Sequence, residues 1–139
     1  MRTYVWQRRG LTYVILGGGV LHGLARMRKG DKWDADLGFA IACLKALLWK
    51  KLDDQDRRLL HSVESIPPSE RQLTDGQVGQ LLLFREGLQK ALANQQELTS
   101  PTASVYLIEQ AGRGLLTAWF REAELARSMA APEPMELHA

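Results

Sequence analysis

The most apolar stretch of the chain runs from Asp34 to Leu52 and predicts one central helix. Apolar residues recur at steps of three and four along one face, and the opposite side is apolar as well. A helix that is apolar almost all the way round is normally buried on several sides. Asp34 is its expected N-cap, because a carboxylate can accept hydrogen bonds from the first-turn amides. One face carries Leu37, Ile41, Leu44, Leu48 and Leu52, and the other carries Phe39, Ala42, Cys43, Ala46 and Trp49.

The segment before this helix predicts β structure. Residues 2–16 are rich in aromatic and β-branched side chains, which favour strands. Two arrangements are open: two strands joined by a turn at Arg9-Gly10, or one long bent strand with a bulge at Gly10. Glycines 17–19 predict the next turn, since glycine adopts positive φ without strain. A returning strand is then expected over residues 20–28, with His22, Leu24 and Arg26 on one face and Gly23 and Ala25 on the other.

The segment after the central helix predicts two further helices. A short one follows the charged residues 53–58 and ends before Pro67-Pro68, because proline cannot continue a helix. Thr74 and Gln77 have the spacing of a capping box, which predicts the start of a long helix. This second helix fades after residue 93.

A last long helix is expected from Ser100-Pro101, an N-cap followed by proline at the first helical position. Gly112 and Gly114 lie within it and indicate either a kink or a close crossing with another helix. Its apolar stripe consists of Val105, Ile108, Ala111, Leu115, Trp119, Ala123 and Ala126.

The order of these elements predicts an α+β fold. A small antiparallel sheet (β-β-β-α) is expected to pack on the central helix and to be followed by a helical C-terminal part. We expect a single domain over residues 1–130, with the sheet and central helix in 1–52 and the helical part in 53–130. Residues 131–139 contain two prolines and are expected to form a flexible tail.

Composition and length point to a soluble cytoplasmic protein. Of the 139 residues, 45% are hydrophobic and 24% are charged, as in ordinary globular domains. The single Cys43 excludes an intramolecular disulfide and is typical of a reducing compartment. The N-terminus lacks the apolar core of a signal peptide. The central helix is too short for a bilayer and carries Lys45 midway, so no membrane interaction is expected.

The charges are divided unevenly along the chain. Residues 1–58 contain twelve Lys or Arg and six Asp or Glu, a balance of +6. Residues 59–139 contain six and ten, a balance of −4, and together the halves give the net charge of +2. This asymmetry predicts that the N-terminal half meets a negatively charged partner, although an uneven scatter of solvated charge is equally compatible with it.

Phosphate and metal sites are not expected. Glycines 17–19 are followed by a predicted strand and by no Lys-Ser/Thr pair, so they indicate a hairpin turn rather than a phosphate loop. Asp31, Asp34 and Asp36 offer oxygen ligands, but their spacing matches no calcium loop.

The remaining chemistry-bearing residues do not predict an enzyme. The histidines His22, His61 and His138 form no zinc-binding pattern. Cys43 lies among alanines and leucines, which favours a buried thiol over a nucleophile. No pair of carboxylates stands out, so we expect no catalytic residues, no metal and no cofactor.

Basic residues cluster where the third strand leads into the central helix. The segment from Arg26 to Lys32 precedes Trp33, and the first strand could add cations. Such a surface could follow a phosphate backbone or anchor a protein interface, where Arg and Trp are frequent hot-spot residues. The alternative is a solvated loop with Trp33 tucked under the helix. The candidate partner-binding residues are Arg8, Arg9, Arg26, Arg28, Lys29, Lys32 and Trp33.

A pattern of small and aromatic residues spans this segment. It consists of Gly23-x-Ala25, then Gly30-Asp31-x-Trp33-Asp34, then Gly38, Ala42 and Ala46 at four-residue steps. It resembles small phage-encoded α+β proteins of unknown function, which usually have Phe at the position of Trp33. The resemblance covers about residues 4–52 and implies that the helix lies close to the sheet, since the small residues permit a short distance.

The resemblance also implies a class of function. Length, α+β layout and the absence of catalytic residues are similar to those of phage inhibitors of bacterial RNA polymerase, an analogy at the level of fold. It implies a non-catalytic protein in the host cytoplasm that binds RNA polymerase or its σ factor and inhibits or redirects transcription. A nucleic-acid-binding module is one alternative, because a β-β-β-α unit can follow backbone shape. An inhibitor of another host system, such as a defence nuclease, is the other.

Overall fold

A computed structural model describes residues 1–17, 21–27, 30, 32–48, 52–63, 65–94 and 101–130. These residues form a mixed α+β structure, which confirms the predicted fold class. The predicted tail at 131–139 lies outside them. The elements are β1 (Arg2–Arg8), β2 (Leu11–Leu16), β3 (Leu21–Arg26), α1 (Ala35–Leu47), α2 (Asp54–Val63), β4 (Ser69–Gln72), α3 (Asp75–Asn94) and α4 (Pro101–Ala130).

The sheet is antiparallel throughout, with the strand order β3-β2-β1-β4. Residues 2–16 form two strands and not one bent strand, with the turn at Arg9-Gly10. Gly10 has a φ of +85°, which glycine adopts without strain. Its carbonyl oxygen accepts a 2.8 Å hydrogen bond from the backbone N–H of Met27, so this turn lies beside the end of β3.

The fourth strand was not predicted from the sequence. Its residues, Ser-Glu-Arg-Gln, are all polar and show no alternation. Long-range backbone pairing forms it: Thr3 lies opposite Arg71, and the N-terminal amine of Met1 donates a 2.8 Å hydrogen bond to the carbonyl oxygen of Leu73. The sheet therefore draws one strand from beyond residue 52, where the sequence placed only helices.

Helix α1 is the central element, as predicted. The Asp34 carboxylate caps it, accepting hydrogen bonds of 3.1 Å from the amides of Asp36 and Leu37. The helix lies very close to β3: a Cβ added to Gly23 would stand only 2.8 Å from the backbone nitrogen of Ala46. The helix ends at Leu47, so its predicted extension to Leu52 was wrong. Leu52 packs instead with residues on the other side of the sheet.

Helices α3 and α4 cover the side of α1 that faces away from the sheet. The capping box is confirmed by two hydrogen bonds between Thr74 and Gln77, of 2.9 and 3.1 Å. Gly112 and Gly114 mark close crossings, as one of the two interpretations predicted. A Cβ on Gly112 would lie 2.6 Å from Ile41, and one on Gly114 would lie 2.6 Å from Phe84.

The second face of the sheet is covered by α2. Alternate residues of β2 and β3 point to this side, and Leu11, Tyr13 and Leu24 form a small core with Val63 of α2. Leu59 and Leu60 complete the apolar side of the helix. Both faces of the sheet are thus covered, one by α1 and the other by α2.

Candidate partner-binding cleft

Two of the predicted partner-binding residues already have partners within the chain. Arg26 forms ion pairs with Asp56 at 3.3 Å and Asp53 at 3.5 Å, at the N-terminus of α2. Arg8 donates a 2.9 Å hydrogen bond to the hydroxyl of Ser62, near the C-terminus of α2. Both arginines lie on the α2 side of the sheet, because the register places Leu11 opposite each of them. They therefore hold the two ends of α2.

The N-terminus of α2 is built around two carboxylates. The amide of Asp56 donates a 2.7 Å hydrogen bond to the Asp53 carboxylate, and the amide of Asp53 donates a 3.2 Å bond to Asp56. This reciprocal pattern is a capping box. The Asp56 amide, with a smaller contribution from the Arg26 guanidinium, holds the pKa of Asp53 below its usual value. Asp53 is therefore ionised across the neutral pH range.

The other predicted residues are differently placed. Arg9 is exposed in the β1–β2 turn, which contacts Met27, and Lys32 is exposed just before α1. Trp33 is half-buried against Gly38: a Cβ on that glycine would lie 3.0 Å from the ring atom Cη2. Arg28 and Lys29 lie outside the described residues.

A cleft of about 520 Å³ lies beside Lys32 and Trp33. It is bounded by the end of β3, one face of α1, the N-terminus of α2 and the N-terminal half of α4. Its volume falls within the range of ordinary binding pockets, about 300–1,000 Å³. Its apolar lining includes Trp33, Leu37, Ile41, Val105 and the buried Ile108.

Cations and carboxylates are equally numerous around the cleft, with four of each. The cations are Arg26, Lys32, Lys45 and Arg113, and the carboxylates are Asp34, Asp53, Asp56 and Glu109. The carboxylates accept hydrogen bonds or ion pairs: Asp34 from the α1 amides, Asp53 and Asp56 from Arg26 and their own amides, and Glu109 from Arg113 at 3.0 Å. Lys32 makes no ion pair with any described residue. Within the described part of the chain, no carboxylate therefore pairs with this ammonium group.

Sequence reasoning found one side of this cleft and missed the other. The segment from Arg26 to Trp33 was singled out by its cations and its aromatic ring. Val105 and Ile108 were assigned to the apolar stripe of α4, and nothing in that periodicity shows which part of a stripe remains uncovered. Val105 is 38% exposed, while Ile108 is 2% exposed.

Cys43 and His22 do not line the cleft. Cys43 is completely buried, and burial raises the pKa of its thiol, which disfavours the nucleophilic thiolate. His22 shares a hydrogen bond with the hydroxyl of Tyr13. No three His, Cys, Asp or Glu side chains of the described ranges converge on a point where a metal ion could sit. None of the helices in those ranges is long and apolar enough to cross a membrane.

Comparison of the chain with protein-family models, with curated proteins and with solved structures found no match.

Proposed function

We propose that this chain is a non-catalytic, phage-encoded regulatory protein that binds a host protein in the cytoplasm. The favoured partner is bacterial RNA polymerase or its σ factor, which the resemblance of residues 4–52 to phage proteins suggests. In this proposal the binding surface is the cleft together with Arg9, Lys32 and Trp33. The partner presents an acidic surface to it.

One observation carries the proposal: an exposed cation without a described ion-pair partner and a half-buried tryptophan stand together at the cleft. Tryptophan is enriched among the residues that carry most of the binding energy of protein interfaces. A cation at the rim of an interface mainly accelerates association with an oppositely charged partner. Lys32 and Trp33 are thus suited to steering and anchoring, respectively.

Nucleic acid is less favoured as the partner. A phosphate backbone is bound by several cations at once, each releasing counterions. In this chain Arg26 is engaged by two carboxylates, and Arg2 is paired with Glu70 at 2.8 Å. These ion pairs reduce the positive charge that the N-terminal half offers to phosphates.

The proposal is tested by size-exclusion chromatography of the purified chain with purified RNA polymerase, with and without its σ factor. Co-elution at low salt, together with a changed transcript yield in a reconstituted reaction, is the expected result. A duplex DNA and a duplex RNA probe form separate arms of the experiment. Absence of co-elution at all salt concentrations would overturn the choice of polymerase, and salt-sensitive binding of either duplex would favour the nucleic-acid alternative.

A further inference from the structure

We infer that the cleft receives an aromatic side chain of the partner that lies next to a carboxylate in the partner's sequence. The inference rests on the proposed protein-binding function and specifies what the partner inserts. It is carried by the apolar lining of the cleft, the position of Trp33 against Gly38 and the lack of an ion pair between Lys32 and any described residue.

The apolar surface of the cleft is formed by two helices. Leu37 and Ile41 are one turn apart on α1, and Val105 and Ile108 are one turn apart on α4. The two helices are held close together where Gly112 meets Ile41. An aromatic ring entering between them would remove apolar surface from water on both sides, at about 25 cal/mol for each Å².

Trp33 forms one side of the cleft. Its ring lies against Gly38, where an added Cβ would stand only 3.0 Å from the ring atom Cη2. The same part of α1 is tied to the sheet, because Gln7 Nε2 donates 2.9 Å hydrogen bonds both to the carbonyl oxygen of Ala35 and to the buried Thr12 hydroxyl. A ring stacking on Trp33 would therefore meet a surface that is already ordered, which lowers the entropic cost of binding.

Charge complementarity selects an acidic partner segment. The carboxylates around the cleft accept hydrogen bonds or ion pairs within the chain, whereas Lys32 pairs with no described residue. A carboxylate beside the inserted ring would gain an ion pair with Lys32. A cation in the same place would face Lys32 and would meet carboxylates that already have donors.

Three capped dipeptides test this chemistry directly: aspartate–phenylalanine, lysine–phenylalanine and aspartate–serine. Binding is followed by the indole N–H signals of the four tryptophans in NMR spectra of the whole chain, with the Trp33 signal assigned through Trp33→Phe. The aspartate–phenylalanine probe should shift the Trp33 signal saturably and leave that of Trp119, which does not line the cleft, unchanged. Its affinity should exceed that of lysine–phenylalanine about threefold and that of aspartate–serine about tenfold. Equal affinities, or no saturable shift, would overturn the inference.

A substitution that fills the cleft is compared with a matched control at the next residue. Val105→Trp places an indole in the cleft without changing charge, and Tyr106→Trp adds an indole at the next residue, which is 59% exposed and does not line the cleft. Circular dichroism should show that both variants are folded. The affinity of Val105→Trp for the aspartate–phenylalanine probe should fall at least tenfold, and that of Tyr106→Trp should match the wild type. Unchanged probe binding by Val105→Trp would place the site elsewhere.

The same variants separate this inference from the proposed function. If Val105→Trp no longer binds the probe but binds polymerase as the wild type does, the proposed function stands. The inference that the partner inserts an aromatic ring into the cleft is then wrong. If the probe binds with the stated preferences and no form of the chain binds polymerase, the cleft chemistry stands and the acidic aromatic segment belongs to another protein. If the chain self-associates through Val105, the occupant is a second copy and the inference fails.

Discussion

The guanidinium of Arg26 lies 3.3 Å from the carboxylate of Asp56, so a residue at the end of β3 fixes the first turn of α2. Asp53 accepts from the same guanidinium at 3.5 Å. The Arg26 side chain is 34% exposed and that of Asp56 only 18%, which makes this pair less accessible to water than an ordinary surface ion pair. Arg26 therefore has a structural role at the edge of the cleft.

Removing the Arg26 charge should loosen α2 selectively. In Arg26→Gln we expect a loss of about 1 kcal/mol, near the upper end for partly exposed ion pairs. Amide hydrogen exchange should accelerate in Asp54–Val63 and remain unchanged in α1, which does not depend on this contact. Arg58→Gln, an exposed position on the same helix, is the control and should leave exchange unaltered. Equal acceleration in both variants would show that the ion pair does not hold α2.

Acid should weaken the α2 cap through Asp53. Because the pKa of Asp53 is lowered in the folded chain, its contribution is present above the unfolded pKa of about 3.9 and is lost as pH falls through the folded value. Asn also caps helices but carries no charge. The melting temperature of the wild type should therefore exceed that of Asp53→Asn at pH 7, and the gap should close below about pH 4. A gap that is the same at both pH values would contradict this.

Two glycine substitutions should have opposite effects. A methyl group on Gly23 would overlap the carbonyl oxygen of Ala42, so Gly23→Ala should destabilise by about 3 kcal/mol or more. Gly79 lies inside α3 with nothing within 4 Å of an added Cβ. Gly79→Ala should therefore stabilise by about 0.5–1 kcal/mol, the difference in helix propensity. Urea unfolding of both variants measures the change in the free energy of unfolding and its sign. A small loss of stability in Gly23→Ala would mean that α1 can move away from β3.

The core position of α1 predicts a large cavity effect. Leu44 is completely buried between the sheet and the helical layer, and Leu44→Ala should cost about 2–5 kcal/mol. Leu83 is 62% exposed on α3, and Leu83→Ala should change stability by less than about 0.5 kcal/mol. Denaturant midpoints of the two variants check the contrast. Similar values for both would mean that Leu44 is not in the core.

Local patterns in the sequence predicted most of the fold. The spacing of apolar residues identified α1, and the Thr74–Gln77 pair located the start of α3, because both signals arise within a few neighbouring residues. The strand β4 could not be found in this way. Its four polar residues become a strand only because β1 offers a free edge, to which the Met1–Leu73 contacts align them.

The candidate site was predictable only in part. Lys32 and Trp33 were identified by residue type, and they do lie together at the cleft. The same reasoning could not separate Lys32 from Arg26, because the carboxylates that engage Arg26 come from residues 53 and 56, some thirty positions further along. Nor could it place Val105 at the same cleft as Trp33, since that placement depends on how α4 crosses α1.

The most direct test of the proposed binding surface is the rate at which the chain associates with purified RNA polymerase. The double variant Arg9→Glu/Lys32→Glu is compared with Arg121→Glu, an exposed residue of α4 about 12 Å beyond Arg113 along the helix. At low salt the double variant should associate about tenfold more slowly than the wild type, and the difference should shrink as salt rises, while Arg121→Glu behaves as the wild type. If the folded double variant associates at the wild-type rate, the surface around Lys32 does not meet the partner.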